Sequence, residues 1–391
     1  MNKLIKRFLN LICSFLTFCI NKGQIYICYL ESKRMYKIPS PLNKNSLETD
    51  FKKYKKNLRK YNFRPSKRDF LVFRNFFIEK GSDPSLIIPA YISNNFTTPV
   101  LNPIKDTKYF EDKNMFDKIL PKSFLPVTYY RRINSKWYDI NYNLINIHEV
   151  LKGLNDLGKE EKIIIKPSKD TSSGKGVMIF IRENNEFINP ISYDKLTVEF
   201  INYFWGNNDI IIQEAIKQSD YLSLFCKTGV NTLRIVSYHS PIDGKCHIIW
   251  SGLKIAAAGQ FVDNAHAGGI VVEIDKNGRL AKYGADQYGN KFFNFNGINF
   301  SDKIYTIPNY KLIIKFIERA TKYLFPHRFI SFDIAVDNNN LPKIIEFNLR
   351  GYSGWYCQFA GSPMYGEKTE EILSYVSQNR KKGLKFFYSI S

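Results

Sequence analysis

The sequence contains few cysteines, and none of them form a closely spaced pair. Its six cysteines, at positions 13, 19, 28, 226, 246 and 357, include no C-x-x-C motif. Small disulfide scaffolds and structural zinc sites usually show such spacing. The cysteine pattern therefore argues against both classes and favours free thiols in a reducing compartment.

An apolar run long enough to cross a membrane is also missing near the start of the chain. The uncharged run Phe8–Ile20 has 13 residues, whereas a spanning helix needs about 20. The flanking basic residues fit a signal peptide, but no small-residue cleavage site follows. We expect residues 1–30 to form an apolar helix, either on an anionic membrane surface or packed against the protein.

Acidic residues are scarce relative to basic ones: 36 against 57, for a formal net charge of +21. Residues 52–68 hold nine basic residues and no acidic one, within a basic N-terminal region at 31–104. Three interpretations remain open for this stretch: a solvated helix, a surface for anionic lipid, or a nucleic-acid patch stacking bases on Tyr54, Tyr61 and Phe63. No nucleic-acid motif accompanies it, so a specific nucleic-acid partner is not expected.

Histidines are few as well, and their spacing indicates no metal site. There are five, and among them His266, beside Gly268 and Gly269, is either a substrate contact or a structural residue. At 391 residues the chain is long enough for two or three domains.

The most informative stretch is 329–351, FISFDIAVDNNNLPKIIEFNLRG. Phe329–Val336 alternates apolar and polar residues, and so does Lys343–Leu349, with strong turn residues between them. The pattern predicts Ile345, Phe347 and Leu349 on one face of the second strand and Ile344, Glu346 and Asn348 on the other. Folded as a hairpin, the two strands bring Asp333 opposite Glu346 and Ser331 opposite Asn348.

Two opposed carboxylates require a compensating positive charge. Mg2+ prefers oxygen ligands and is usually held by one or two carboxylates together with substrate phosphates. The alternative is a solvated face on which nearby lysine or arginine neutralises Asp333 and Glu346.

A phosphate-binding loop is predicted at 163–181, IIIKPSKDTSSGKGVMIFI. Two apolar strands flank a small-residue loop whose backbone N–H groups are accessible to phosphate oxygens. It is not a Walker A loop, because G-x-x-x-x-G-K-[ST] is absent and a strand follows. Lys166 ends an apolar run, and an inward-facing lysine in a sheet needs an anion.

Further elements follow from hydrophobic periodicity. Helices are predicted at 109–121, 144–158, 193–205 and 309–325, and strands at 125–133, 209–216, 230–240 and 247–257. Arg234 stands among apolar residues, and a half-buried guanidinium favours a carboxylate or phosphate partner.

The order of these parts resembles the ATP-grasp superfamily. The matching features are K-P before a small-residue loop between strands, an apolar strand ending in QEAI, and FDIAV followed by IEFN. VNTLRIV, AHAGGIVVEID and EFNLRGYSGWYCQ resemble the branch of that superfamily associated with sugar transfer. The resemblance covers roughly residues 105–375.

This resemblance implies an α+β fold in which two subdomains, 105–216 and 217–391, grip ATP between them, preceded by a helical basic extension. It implies phosphate contacts for Lys113 and Lys166, and a lid of Ser172, Ser173, Gly174, Lys175 and Gly176. Adenine would be bound at Gln213, Glu214, Ala215 and Ile216, and the ribose at Asp220. Mg2+, or Mn2+, would be held by Asp333, Glu346 and Asn348, while Arg234 and Arg350 would stabilise transferred phosphate or substrate carboxylate.

One position departs from the family pattern. Many carboxylate–amine ligases of the superfamily have arginine two residues before the metal aspartate, where this chain has Ser331. Arg234 is the candidate replacement.

The resemblance implies an ATP- and Mg2+-dependent ligase that joins a carboxylate to an amine through an acylphosphate. The expected substrate is a carboxylated sugar, free or linked to lipid or nucleotide, used in surface polysaccharide biosynthesis in the cytoplasm near the inner membrane face. A kinase-like phosphotransferase and a non-catalytic basic membrane- or nucleic-acid-binding protein are the alternatives.

Overall fold

The computed structural model describes residues 12, 15, 19, 22, 23, 25–102, 107, 109–157, 162–169, 174–184, 186–261, 263, 265–350 and 354–384. The predicted apolar run Phe8–Ile20 lies mainly outside this part of the chain. Residues 25–35 are helical.

The first sheet has seven antiparallel strands in the order β3-β2-β1-β7-β4-β5-β6. The strands are β1 (Thr128–Ile133), β2 (Lys136–Asp139), β3 (Leu144–Ile145), β4 (Lys162–Pro167), β5 (Met178–Glu183), β6 (Glu186–Ile188) and β7 (Ile210–Glu214). Helices Ile147–Asn155 and Val198–Trp205 contribute to the core on one face. Asn146 begins the first of them with a capping box and Thr197 caps the second, which satisfies free backbone N–H groups.

The second sheet also has seven antiparallel strands, in the order β12-β11-β10-β9-β8-β15-β16. They are β8 (Thr232–His239), β9 (Cys246–Ile255), β10 (Ile270–Ile274), β11 (Leu280–Ala285), β12 (Lys291–Phe292), β15 (Phe329–Val336) and β16 (Pro342–Asn348). Strands β13 (Asn294–Phe295) and β14 (Ile298–Asn299) form a separate small sheet. Helix Tyr310–Thr321 packs on one face through Ile313 and Ile317.

The opposite face of the second sheet is divided into two regions. At one end its side chains are polar and charged. At the other, apolar residues such as Val236, Tyr238 and Trp250 share a core with the N-terminal helices. Those helices are Leu47–Lys60, Lys67–Lys80, Ala90–Ile92 and Thr98–Leu101, and the C-terminal helices Trp355–Phe359 and Thr369–Leu384 join the same layer. Among the described residues, no helix is both long and apolar enough to cross a bilayer.

The predicted hairpin is confirmed in its register. Asp333 pairs with Glu346, and Ser331 with Asn348. The face assignment of two isoleucines is wrong, because the register shifts after Asp333 and Ile334 pairs with Ile344. The resulting β-bulge adds one residue to β16. Ile344 therefore joins the core, whereas Ile345 lines a cavity beside Glu346.

The other predicted elements form with shifted ends. The stretch at 109–121 contains only a helix at Phe116–Ile119 after a 3-10 turn, and the stretch at 193–205 becomes helical only at Val198. In the basic stretch, Tyr54, Tyr61 and Phe63 are buried. They are therefore core residues, and the stacking surface for single-stranded nucleic acid considered above is not formed by them.

Candidate active site

A cavity of about 410 Å3 lies between the two sheets. Its walls come from β4, β5 and β7 in the first sheet, and from β8, β9, β15 and β16 in the second. Most of the predicted site residues meet there: Lys113, Lys166, Gly174, Gln213, Glu214, Ala215, Ile216, Arg234, Asp333, Glu346 and Asn348.

Two lysines enter the cavity from the side of the first sheet. Ile163 and Ile165 point into the helix-covered core, so strand alternation directs Ile164 and Lys166 to the cavity. Lys166 is 5% exposed and has no hydrogen-bond acceptor among the described residues. Burial, and secondarily the ammonium of Lys113, lower the pKa of Lys166 to about 7. A buried cation without a partner favours an anionic ligand.

Lys113 has a carboxylate partner from the other sheet. Its Nζ lies 2.9 Å from Glu346 Oε1, and its backbone N–H donates to the carbonyl of Ser168, 2.9 Å away. The side chain thus spans the cavity, while the backbone is fixed to the segment that follows β4.

The segment after β7 offers backbone groups to a ligand. The backbone N–H of Glu214 donates to the carbonyl of Val127, and the Glu214 carboxylate accepts from the backbone N–H of Val127 at 2.8 Å. The N–H of Ala215 donates to Lys162. The N–H of Ile216, by contrast, has no acceptor among the described residues. A flat heteroaromatic base could pair with it.

Asp333 is the centre of a buried charge cluster. Its carboxylate accepts from Arg234 Nε at 2.6 Å and Nη2 at 2.8 Å, and Lys254 Nζ lies 3.5 Å away. Burial alone would raise the pKa of the Asp333 carboxyl, but Arg234 and Lys254 hold it below its usual value. Burial likewise opposes the charge on Arg234, and Asp333 more than offsets it, so the pKa of Arg234 is raised.

Lys254 and Asp263 complete this cluster. Lys254 Nζ lies 3.0 Å from Asp263 Oδ1. The other oxygen of Asp263 accepts from the backbone N–H of Thr232 at 2.9 Å and from the Thr232 hydroxyl. The pKa of Lys254 is raised, since Asp263 and Asp333 together outweigh its burial.

The compensating charge that the hairpin requires is therefore supplied by protein cations, at least in part. The neutralisation by lysine and arginine that the alternative predicted is thus observed, but Asp333 is 5% exposed and lies on a buried cavity wall rather than on a solvated face. Each carboxylate oxygen can accept more than one interaction. The cations at Asp333 and Glu346 thus leave lone pairs for a further ligand.

Oxygen donors suited to Mg2+ are present beside these cations. Among the described residues no three His, Cys, Asp or Glu side chains form a metal cluster. The predicted set instead combines Asp333 and Glu346 with the amide of Asn348, all on the cavity wall. Across from Asn348, the buried Ser331 hydroxyl has no hydrogen-bond partner among the described residues. A hard cation with its waters fits this donor set.

The small-residue loop is described only from Gly174 onward, and Ser172 and Ser173 lie outside the described residues. Gly174 and Gly176 have positive φ angles of 69° and 74°. A Cβ on Gly176 would lie 2.9 Å from Pro167 Cγ. The Gly176 carbonyl accepts from Trp205 Nε1 at 2.9 Å. This end of the loop is thus held against the first sheet, and Lys175 between the two glycines does not line the cavity.

Besides Lys175 and Gly176, two further predicted site residues lie off the cavity wall. Asp220 is exposed at the start of the short helix Asp220–Ser223. Arg350 pairs with Glu111, with Nη2 2.9 Å from Oε2. Their proposed roles at ribose and phosphate remain predictions.

Sequence reasoning missed several residues of the wall: Thr232, Lys254, Phe261, Asp263, Trp355 and Tyr356. Lys254 carried the same signal as Lys166, a lysine within an apolar strand. Asp263 and Phe261 precede β10 in a loop, where no periodicity indicates which way a side chain points.

Similar solved structures have low sequence identity to the chain. The L-amino acid ligase of Bacillus licheniformis is 15% identical with a TM-score of 0.36, over 70% of this chain and 50% of that one. D-alanyl-alanine synthetase A of Vibrio cholerae is 15% identical with a TM-score of 0.39, over 71% and 66%. A D-cycloserine synthetase is 9% identical with a TM-score of 0.42, over 87% and 96%. The aligned part thus spans half of the first of these enzymes.

No curated protein matches the chain significantly. The model of one family, described as sugar-transfer associated ATP-grasp, matches residues 92–372. That match covers well over half of the chain and confirms the predicted resemblance and fold class. Its limits enclose both sheets and the cavity between them. The chain belongs to the sugar-transfer associated ATP-grasp family.

Proposed function

We propose that this protein is an ATP-dependent ligase that joins a carboxylate to an amine and releases ADP and phosphate. The observation that supports this most directly is the composition of the cavity. Four cations (Lys113, Lys166, Arg234 and Lys254), each less than 10% exposed, line the same cavity as Asp333 and Glu346. Such a site suits the triphosphate of ATP and the charge that develops when its terminal phosphoryl group is transferred.

In the proposed reaction, a carboxylate oxygen of the acid attacks the γ-phosphorus of ATP and ADP leaves. The amine nitrogen then attacks the acyl carbon of the resulting acylphosphate, phosphate leaves, and the nitrogen loses a proton. Lys113 and Lys166 hold the phosphates from one side, and Arg234 neutralises the transferred group from the other. Mg2+ held by Asp333, Glu346 and Asn348, or Mn2+ in its place, would supply charge stabilisation and orient the phosphates.

Exclusion of water is the second requirement, because an acylphosphate hydrolyses. The glycine loop ending at Gly176 is the proposed lid over this step, with adenine at Gln213–Ile216. The ring of Trp205 holds the end of the loop in place.

The proposed acid is a carboxylated sugar or a sugar-linked precursor for a surface polysaccharide such as a capsule. The aromatic and cationic groups of the cavity support an anionic, ring-shaped substrate. The amine is a second small substrate.

The proposed place of action is the cytoplasmic face of the membrane. Lys52, Lys53, Lys56, Arg59 and Lys60 are all exposed on helix Leu47–Lys60, so this face can bind anionic lipid. A lipid-linked substrate would then be met at the membrane surface.

A hydroxylamine trap tests the reaction. The protein, ATP and Mg2+ would be incubated with uronic acids or nucleotide uronates, with and without amines. A ligase should give acid-dependent ADP release, and hydroxylamine should convert the acylphosphate to a hydroxamate. A stable phosphate ester on a sugar hydroxyl, detected by mass spectrometry, would instead identify a kinase-like phosphotransferase, and absence of ATP turnover with every acid would contradict the proposal.

A further inference from the structure

The part of the cavity formed by β8, β9 and helix Trp355–Phe359 differs from the part next to Lys113 and Lys166 in both its donors and its walls. Arg234 has five N–H groups, and two of them are used by Asp333. The remaining three have no acceptor among the described residues. Lys254 likewise has three N–H groups, shared between Asp263 and Asp333. The cluster therefore has hydrogen-bond donors left over and presents them to the cavity.

Three aromatic residues line the same cavity: Phe261, Trp355 and Tyr356. The indole ring of Trp355 lies 3.8 Å from the ring of Tyr356, centroid to centroid. Trp355 is half-buried and Tyr356 is 8% exposed. The Arg234 guanidinium lies 5.8 Å from the Tyr356 ring. The aromatic wall is thus next to the unused cationic donors.

This wall has a fixed position because the N-terminal layer supports it from behind. Phe359, at the end of helix Trp355–Phe359, has its ring centroid 5.0 Å from that of Phe73 and 5.2 Å from that of Phe76. Tyr36 also contacts Phe359, at 5.3 Å. Packed aromatic rings of this kind restrict helix movement. The ring of Trp355 lies 5.9 Å from that of Phe359, centroid to centroid, and is thus carried by this supported helix.

We infer that this part of the cavity is the binding site of the acid substrate, and that the acid is a cyclic, hydroxylated one of the hexuronic acid class. The carboxylate binds the spare donors of Arg234 and Lys254, and the sugar ring lies against Trp355. The inference rests on the proposed ligase function and assigns its substrate and the residues that select it.

Charge and polarity decide between the ligand classes that an aromatic wall can bind. Asp333 and Asp263 balance the charges of Arg234 and Lys254, but the unused N–H groups of these cations need an acceptor. A carboxylate is such an acceptor and an ammonium group is not, so the amine substrate is a poor candidate for this position. The lining also includes Thr232 and His266, which suit the hydroxyl groups of a sugar better than a plain aromatic acid. An acyclic acid would leave the ring surface without a partner.

The first test compares acids and Trp355 variants in the hydroxamate assay. Glucuronate and galacturonate would be assayed against gluconate, phenylacetate and alanine. We expect the wild-type protein to prefer the uronates. Trp355→Ala should raise the KM for uronate about tenfold while the KM for ATP stays unchanged. Trp355→Phe should keep both KM values near those of the wild type. Tyr203→Ala, on a side chain that is 88% exposed, is the control and should change neither value.

Several results would overturn the inference. One is a preference for an acyclic or aromatic acid, which would leave the ligase function standing. Another is a Trp355→Ala protein that uses uronate as the wild type does, or one in which both KM values rise together.

The second test does not require turnover. Saturation-transfer NMR would follow glucuronate binding to wild-type protein and to Trp355→Ala, with Mg2+ and the imido analogue of ATP. We expect ring-proton transfer in wild type that is lost in Trp355→Ala. If the NMR result is as expected but no hydroxamate forms, the ligase proposal is contradicted and the uronate site stands. If the wild-type protein shows no saturation transfer, the uronate site itself is overturned.

Discussion

At the scale of single residues, the proposed phosphate chemistry depends on Glu346, which faces Asp333 and pairs with Lys113. Glu346→Gln keeps an oxygen for Lys113 and removes the charge. We expect ATP turnover to fall by about 100-fold or more, since lost stabilisation of phosphoryl charge costs about 3 kcal/mol. Steady-state ADP release measures this, with an unchanged circular dichroism spectrum showing an intact fold.

Glu367→Gln is the matched control, because Glu367 is exposed on the 3-10 turn Gly366–Lys368. It should turn over ATP as the wild type does. Wild-type turnover by Glu346→Gln, or turnover insensitive to EDTA, would contradict the proposed metal site.

A second residue-scale prediction follows from Lys166, whose pKa is lowered from 10.5 to about 7 in the free protein. At pH 8 the side chain is then mostly neutral, and contact with phosphate should charge it again. Nucleotide binding at pH 8 should therefore take up close to one proton, and less as the pH falls below 7. Calorimetry in buffers of different ionisation enthalpy measures this uptake.

Lys166→Met should abolish that proton uptake, whereas Lys152→Met, on an exposed helical lysine, should not. Proton uptake by Lys166→Met equal to that of the wild type would contradict the assignment.

The lowered pKa of Lys166 also affects stability. Because the unfolded chain binds the extra proton between pH 7 and 10.5, Lys166 destabilises the fold below about pH 7, and this cost disappears as pH rises through that window.

At the scale of elements, the loop between β4 and β5 depends on Gly176. Gly176→Ala combines a positive φ of 74° with a collision at Pro167. Gly259→Ala has a similar φ of 81° with nothing within 4 Å, so it reports the backbone cost alone, about 1 kcal/mol. We expect Gly176→Ala to lower the free energy of unfolding, measured in urea, by more than Gly259→Ala does. It should also weaken nucleotide binding. Equal effects in the two variants would show that the contact with Pro167 is unimportant.

The sequence predicted those helices and strands whose apolar residues recur with a clear helical or strand period. The hairpin register follows from polar residues at alternate positions of two apolar strands, and Asp333 met Glu346 as expected. The bulge at Ile345 was not predictable, because alternation carries no signal for one extra residue. Lys254 carries the same signal as Lys166, a lysine within an apolar strand, and could have been predicted from it. Its pairing with Asp263 could not, because that depends on how a loop without periodicity folds over β9.

At the scale of the whole molecule, the basic N-terminal helix is the proposed membrane surface. Lys53→Glu with Lys56→Glu should weaken binding to anionic vesicles by about 2 kcal/mol or more, roughly 30-fold, since each lysine near anionic lipid contributes about 1 kcal/mol. Turnover of soluble substrates should not change. Vesicle co-sedimentation over a range of salt concentrations measures the binding.

Lys311→Glu with Lys315→Glu is the matched control for charge. Both lysines are exposed on helix Tyr310–Thr321, which packs on the opposite face of the second sheet. That double variant should bind vesicles as the wild type does. Equal loss in the two double variants would indicate an effect of net charge rather than a defined surface.

The face of the second sheet that packs on the N-terminal helices also bears on how this protein can diversify. The strands that carry Arg234 and Asp333 into the cavity bury Val236 and Phe329 beneath the N-terminal helices. A chimera that takes only the two sheets from a relative, without residues 47–101, would mismatch that apolar surface and shift Trp355 with its helix. Recombination between relatives should therefore reject exchanges that separate residues 47–101 from the second sheet. It should tolerate those that exchange only the first sheet, with one crossover between Leu101 and Thr128 and another between Glu214 and Thr232.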